Sequence, residues 1–269
     1  MTTHAKNMYP SPAAEIWIAR LDHLRTYRTG LHTLLTSAEQ IRVQRYLQQD
    51  DRDRYLGGRV LVKLAAGKMT GVPPEEISII TAATGKPSIS FVNDNSVVPA
   101  ISISHAGQLV VVALQYGAEL GVDVELFNHD VNLDDLMGVV CSKEEIAEIN
   151  LADDKTRRQK FYEFWVLKEA YLKATGEGLS ADARKLVFSV DAVSRVSLLQ
   201  TPDNSSVRQW EFLLRLYDEK HLIALANQKP TSLKNSEKNT EKQVQTLQDN
   251  ASFKDALSLF TEYCENRKQ

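Results

Sequence analysis

Trp165-Val-Leu-Lys168-Glu169-Ala170-Tyr-Leu-Lys173-Ala-Thr-Gly176-Glu-Gly178-Leu179 reads as the end of one long helix. Phe161, Phe164, Val166, Leu167, Tyr171 and Leu172 leave little of the cylinder polar. Gly176 is a natural left-handed cap, so the spacing predicts a helix from Thr156 to Thr175. Trp165, Glu169 and Lys173 fall on one stripe of it. A carboxylate on so apolar a helix needs a partner, a metal or a proton. The plain alternative is a solvated Glu–Lys pair, which contributes a few tenths of a kcal/mol. Upstream, Val60-Leu-Val-Lys-Leu-Ala-Ala-Gly-Lys-Met-Thr-Gly71 reads much like Val166 to Gly176.

Before the long helix, Gly121-Val122-Asp123-Val124-Glu125 alternates in the two-residue period of a strand, so Asp123 and Glu125 share a face. Neighbouring carboxylates repel unless one is protonated or a cation stands between them. A hard divalent ion answers that need: Mg2+ takes oxygen ligands, commonly one or two carboxylates completed by water and substrate phosphates. A sheet with one wet, acidic face is the other reading.

Further strands are expected at Glu15 to Leu21, Ile77 to Thr81, Ser88 to Phe91, Ala100 to Ser104 and Leu109 to Tyr116, with turns at Gly85-Lys-Pro and Asn93-Asp-Asn. Lys185 to Val190, Arg208 to Tyr217 and Leu222 to Ala226 complete the set. Ser37-x-x-Gln40 and Ser142-x-x-Glu145 are capping boxes for helices ending near Gln48 and Asn150. Asp50 to Met69 has a helical pattern that Gly57 and Gly58 weaken. Beyond Pro230 the chain turns polar until Phe253, a linker pattern, and Ala251 to Tyr263 suits a short helix.

Taken in order, Ile101-Ser-Ile-Ser104-His105-Ala-Gly107, then Gly-Val-Asp-Val-Glu, then Trp-x-x-Lys-Glu-Ala-x-x-Lys with Gly-x-Gly-Leu behind it, resemble the 4'-phosphopantetheinyl transferases of the surfactin-synthetase type. With Gly85-Lys86-Pro87 and the basic helix Arg54 to Lys63, the resemblance runs from about Ser37 to about Ala226. It implies an α/β (α+β) fold of two similar halves related by a pseudo-twofold axis, with the active site in the cleft between them. The halves are expected at residues 1–117, contacting coenzyme A phosphates and adenine, and 118–229, carrying metal and catalytic residues, with a polar tail at 230–269.

The implied reaction moves 4'-phosphopantetheine from coenzyme A to a serine of an apo acyl or peptidyl carrier protein, releasing adenosine 3',5'-bisphosphate. Asp123, Glu125 and Glu169 would hold Mg2+, or Mn2+. Glu169 is metal ligand and serine base at once, two roles that compete, with base favoured. Lys173 would reach the pyrophosphate and the leaving group. Ser104 and His105 would touch a coenzyme A phosphate, Lys86 the adenine-side phosphates, and Arg42, Arg54 and Arg59 the 3'-phosphate. Several relatives carry a lysine where this chain has Glu39, which leaves more of the charge to Arg42 and Arg45. Lys168 is secondary by its angle on the helix, Trp165 is expected in the core, and Glu145 matches an acid near the metal cleft. Arg157, Arg158 and Lys160 offer a basic patch for an acidic carrier. A non-catalytic module binding coenzyme A or a carrier is the alternative, against which Asp123, Glu125, Glu169 and Lys173 all stand intact.

Composition agrees with a globular enzyme: hydrophobic residues are 43% and charged residues 25%, so general disorder is excluded. A net charge of -3 argues against a nucleic-acid partner. No window reaches the length of a membrane span, and no signal peptide opens the chain. Cys141 and Cys264 lack metal-ligand spacing and fit free thiols in a reducing compartment, so the cytoplasm is expected, and a monomer is expected because one chain carries both halves. No Gly-x-x-x-x-Gly-Lys-Ser/Thr loop is present, which counts against a nucleotide-triphosphate phosphotransferase.

Overall fold

The chain repeats one order of elements. The first half runs β1 (Glu15–Arg20), α1 (Leu21–His32), α2 (Ser37–Arg45), α3 (Gln49–Thr70), β2 (Ile77–Thr81), β3 (Pro87–Phe91), β4 (Ala100–Ala106) and β5 (Leu109–Gln115). The second runs β6 (Leu120–Leu126), α4 (Leu133–Val140), α5 (Lys143–Asn150), α6 (Asp154–Thr175), β7 (Val187–Val190), β8 (Val196–Gln200), β9 (Trp210–Tyr217) and β10 (His221–Gln228). β11 (Ser252–Asp255) and α7 (Leu257–Asn266) follow. The computed structural model describes residues 13–92, 97–127, 132–178, 182–203, 207–229 and 251–267. The expected turn at Asn93-Asp-Asn, Leu179 of the Gly-x-Gly-Leu motif and the polar stretch of 230–250 lie outside the described residues.

Strand order repeats as well: β1-β5-β4 in one sheet and β6-β10-β9 in the other, with antiparallel neighbours throughout. β5 is Leu-Val-Val-Val-Ala-Leu-Gln, apolar at every position but the last and buried along its whole length, as a strand covered on both faces must be. One cover is a helical core in which Leu56, Val60, Leu61 and Leu64 of α3 meet Val110, Val112 and Leu114. The other is a core shared by both sheets, where Ile16, Ile18, Val111, Val122, Val124, Ile223 and Leu225 meet. A third core packs α6 against its own sheet through Phe161, Phe164, Leu167 and Leu172. Mixed α/β architecture is therefore as expected.

Helices α3 and α6 both run 22 residues into a left-handed glycine, Gly71 and Gly176, so a shift of 105 positions lays one on the other. That shift places Lys63 on Lys168. Both are buried, at 2% and 1% exposure. Lys63 Nζ donates to Leu34 O at 2.7 Å and meets Glu39 Oε2 at 3.3 Å. Lys168 Nζ donates to Val140 O at 3.0 Å and meets Glu145 Oε2 at 2.6 Å. Each glutamate is also the third residue of a capping box, opened by Thr36 and by Ser142. The weak echo between the two helices is thus matched by equivalent ammonium, carboxylate and carbonyl groups.

Several boundaries depart from the sequence reading. The box of α2 is Thr36 with Glu39, one residue ahead of the predicted pair, because the Glu39 carboxylate accepts from Thr36 N while the Gln40 amide donates to Leu35 O. That helix ends at Arg45, not near Gln48. Paired glycines do not interrupt α3: a Cβ at Gly57 would lie 2.8 Å from Leu24 Cδ1, so they sit where the helix presses on its neighbours. The predicted helix from Ala251 begins instead with β11, which pairs parallel to β1. Helices α1 and α4 and strand β8 had no sequence prediction. Among the described residues, no helix is long and apolar enough to cross a membrane. Cys141 and Cys264 form no disulfide, and burial pushes the Cys141 thiol up to about 12.

Candidate active site in the cleft between the halves

Gly121 sets the geometry of the site. A Cβ there would lie 2.0 Å from Ala170 O and 2.5 Å from Ala174 N, so only glycine lets α6 rest directly on β6. That close crossing brings the Glu169 and Lys173 stripe of α6 against Asp123 and Glu125 of β6. Strand β4 approaches from the other half, and its serines bond the β6 backbone: Val122 N donates to Ser102 Oγ at 3.0 Å and Val124 N to Ser104 Oγ at 3.3 Å.

A cleft of about 550 Å3 opens there. Arg42, Arg54, Arg59, Ser104, His105, Asp123, Glu125, Glu169 and Lys173 all line it, with Trp165, Tyr46 and Tyr55. Nine of the ten residues expected to hold the metal, bind coenzyme A or do the chemistry therefore share one surface, Lys86 being the exception. At its centre Lys173 Nζ donates to Asp123 Oδ1 at 2.6 Å and to Ser104 Oγ at 2.8 Å, and Ser104 Oγ donates to Asp123 Oδ1 at 2.7 Å. Asp123 is 3% exposed, and its second oxygen, Oδ2, is buried with no hydrogen-bond partner. A buried carboxylate oxygen left this way is costly unless a cation or proton completes it.

Burial, then the Asp123 charge, pushes Glu125 up to about 7, against the opposing pull of the Trp165 hydrogen bond and of Lys173, while Glu169 adds a further upward push. Burial and Asp123 also raise Glu169 above the ordinary carboxylate range, with Lys173 opposing. Desolvation, then the Lys173 and Arg54 cations, lower the His105 imidazole. The three acids repel, and one ammonium does not neutralise them. Hard oxygen donors with an unmet charge suit a divalent ion. Among the described residues no three His, Cys, Asp or Glu side chains already close on a single point, so such an ion would rely on water and substrate oxygens as well.

Toward the other end of the cleft the charge is positive. Arg42 and Arg59 each stack on the Tyr55 ring, at 5.3 and 5.1 Å from its centroid, and Tyr46 packs on Tyr55 at 5.6 Å. Arg54 donates to Gly107 O at 2.8 Å and to Asp51 at 2.6 Å. A second hollow of about 720 Å3 adjoins the cleft through Arg54, His105, Glu125 and Trp165, and its far wall is apolar: Phe127, Leu136, Phe161 and Tyr162.

Some residues stand apart from their predicted places. Lys86 is outside the cleft, its ammonium held by Glu119 and, at 2.5 Å, by Ala174 O at the end of α6, although Gly85 and Pro87 do line the cleft. A lysine at a helix C-terminus satisfies its last carbonyls. Trp165 is not simply core: its Nε1 donates to Glu125 Oε1 at 2.9 Å. Glu145 is far from metal duty, since its oxygens take Ser142 N, Phe188 N and Lys168. Glu39, the departure from the lysine pattern, is spent on its capping box and Lys63. The basic patch is compensated: Arg157 binds Asp134 and Asn150, and Lys160 binds Glu148. Tyr46 and Tyr55 had no signal in the sequence beyond lying on the basic helix and just before it.

Comparison with known proteins follows the two halves. A model of the 4'-phosphopantetheinyl transferase superfamily matches residues 119–226, and a model of the 4'-phosphopantetheinyl transferase N-terminal region matches residues 24–116. The chain is 28% identical over 232 residues to a phosphopantetheinyl transferase of Thraustochytrium, covering 81% of this chain and 79% of that one. It is 27% identical over 218 residues to the 4'-phosphopantetheinyl transferase HetI of Nostoc, covering 80% and 88%. A crystal structure of a holo-(acyl-carrier-protein) synthase from Bacillus anthracis in complex with CoA (3',5'-ADP) aligns at a TM-score of 0.35 and 16% identity, over 42% of this chain and 96% of that one.

Proposed function

The chain belongs to the 4'-phosphopantetheinyl transferase superfamily and is an enzyme of that type, and from this premise we propose how its cleft moves phosphopantetheine from coenzyme A to a carrier-protein serine. The observation that carries the reading is the Lys173, Asp123 and Ser104 cluster, with Glu125 and Glu169 beside it at the join of the halves.

In the reaction the serine hydroxyl oxygen bonds to the phosphorus of the phosphopantetheine phosphate. The bond from that phosphorus to the adenosine 5'-phosphate oxygen breaks. The serine proton goes to a base, and adenosine 3',5'-bisphosphate leaves with the electron pair of the broken bond. Glu169 suits the base: burial, then the Asp123 charge, raises its pKa above the ordinary carboxylate range and so makes it a stronger proton acceptor, and it borders the same surface as Lys173. Lys173 stabilises the charge that grows on the leaving phosphate. Asp123 and Ser104 hold its ammonium in position. Asp123, Glu125 and Glu169 would hold Mg2+ or Mn2+, which supplies neutralisation of the pyrophosphate. Arg42, Arg54 and Arg59 give the nucleotide's phosphates a cationic end to bind, and His105 and Ser104 lie between the two ends. The apolar hollow beside Trp165 suits the uncharged pantetheine arm and the approach of the carrier.

Two halves in one chain and the Trp165-x-x-Lys168-Glu169 motif support the surfactin-synthetase type, with residues 1–117 serving coenzyme A and 118–229 the chemistry. Action as a cytoplasmic monomer fits this reading. Intact-mass measurement of an apo carrier protein after incubation with coenzyme A and Mg2+ tests it. A gain of one phosphopantetheinyl group, lost with Glu169→Ala and with EDTA, is expected; no gain with acyl or peptidyl carriers, while coenzyme A still binds, would leave only a binding module.

A further inference from the structure

The shift that lays α3 on α6 also lays β1 on β6, and it gives the catalytic cleft a counterpart elsewhere in the molecule. Asp123, Glu125, Glu169 and Lys173 fall on Ile18, Arg20, Leu64 and Lys68. Pairing registers extend the correspondence to the other strands. Glu15 pairs with Leu114 as Leu120 pairs with Asn227, and Ala100 pairs with Gln115 as Trp210 pairs with Gln228. On that register His105 falls on Arg215. The counterpart cleft therefore lies between β1 and β9, with one lysine and two arginines but no carboxylate from these positions. It cannot repeat the chemistry.

It is also filled. Strand β11 pairs along β1 from Glu15 with Ser252 to Ile18 with Asp255, and Ala256 N donates to Ile18 O at 2.9 Å. Arg215, the counterpart of His105, stacks on the Phe253 ring at 4.4 Å. Lys68, the counterpart of Lys173, meets Glu262 of α7 at 3.6 Å. Leu259 and Phe260 of α7 are buried in the first-half core. Three positions that carry or flank catalysis on one side are thus each met by the C-terminal segment on the other.

We propose that residues 251–267 are an internal occupant of this counterpart cleft, covering the free edge of β1 and the face of α1 and α3 that would otherwise receive a second copy of the chain. A bare strand edge beside an apolar face is a template for pairing between molecules. The segment returns from the second half, whose last described residue before it is Lys229, to grip the first, so one chain keeps a single working cleft and the sheet ends on the four-residue β11 in place of the longer β1. Its role does not depend on the transferase reading, because the readouts below are association and amide exchange.

The full chain carrying Leu259→Asp and Phe260→Asp tests it, by hydrogen exchange across Glu15 to Arg20 and 251–267, and by solution mass against concentration. Removing two buried apolar side chains is expected to speed exchange of the segment and of the β1 amides by about 100-fold. Dimers or larger species should grow with concentration, a synthetic 251–267 peptide should return the variant to monomer, and the KM for coenzyme A should stay within about twofold. A Lys173→Met control should leave exchange and mass as in the parent. A segment released while the variant stays monomeric at all concentrations would overturn the proposal, and so would a peptide that neither binds nor restores the monomer. A milder variant, Phe253→Ser, guards against simple misfolding: unchanged β1 exchange with the segment loosened would likewise overturn it.

Discussion

Lys173 Nζ stands 2.6 Å from Asp123 Oδ1, one helix residue and one strand residue joined across the cleft floor. In the absence of another cation this ammonium is what answers the buried carboxylate. Lys173→Met removes both that answer and the group proposed to stabilise the leaving phosphate. Single-turnover transfer should slow by about 100- to 1,000-fold, the usual loss when one charge-stabilising donor is deleted. Coenzyme A binding measured by calorimetry should weaken far less. Equal losses in both would place Lys173 in ground-state binding alone.

Glu125 makes the metal-free protein respond to pH in an unusual direction. Its pKa is raised, so the folded state holds the proton more tightly than the unfolded chain. That contribution to stability is present below the ordinary carboxylate range and is lost as pH rises through about 7. In EDTA, Tm should fall between about pH 5 and about pH 7.5, and Glu125→Gln should flatten the slope. Divalent metal competes with the same proton, so its binding should tighten over the same interval. Trp165→Phe deletes the Nε1 hydrogen bond that opposes the shift and should move the midpoint higher still.

Lys168 and Glu145 are 1% exposed and paired at 2.6 Å, with Lys168 about 100° round α6 from Glu169. Burial lowers the lysine's pKa while the glutamate opposes it. Lys168→Met leaves a carboxylate buried without its cation and should destabilise by about 3–5 kcal/mol in urea unfolding. The double variant with Glu145→Gln should recover part of that loss. Lys63→Met, its counterpart, should behave alike through Glu39.

How much of this was legible in the chain depended on whether the cause was local. Periodicity located α3, α6 and β6, because the stripe from Trp165 to Lys173 and the alternation at Val122 to Glu125 are properties of neighbouring residues. The order of three motifs gathered Ser104, His105, Asp123, Glu125, Glu169 and Lys173. Contacts between distant segments were hidden. Lys86 was expected at the adenine-side phosphates, yet Ala174 and Glu119 hold it outside the cleft. Trp165 looked like core because nothing in the helix revealed that Glu125 would lie under its indole. β11 read as helix because its strand character comes from pairing with β1, more than 200 residues away. The capping box slipped by one since Thr36 and Ser37 both satisfy the local pattern, and only the direction of the Gln40 side chain decides between them.

Tyr55 is the cleft residue the motifs passed over. Its ring carries two guanidiniums, Arg42 and Arg59, which come from different helices and would otherwise repel. Held together, they make a doubly charged site for a phosphate group, the kind of site that would recognise the 3'-phosphate of coenzyme A. Tyr55→Leu should raise the KM for coenzyme A by about 5- to 30-fold, corresponding to loss of two cation–π contacts, with kcat little changed. Tyr55→Phe keeps the ring face and should stay near the parent value. The contrast between coenzyme A and its 3'-dephospho form is the sharper reading: if Tyr55 organises the 3'-phosphate site, Tyr55→Leu should narrow the preference for coenzyme A, whereas an equal loss with both substrates would assign the ring to the adenine or the pyrophosphate.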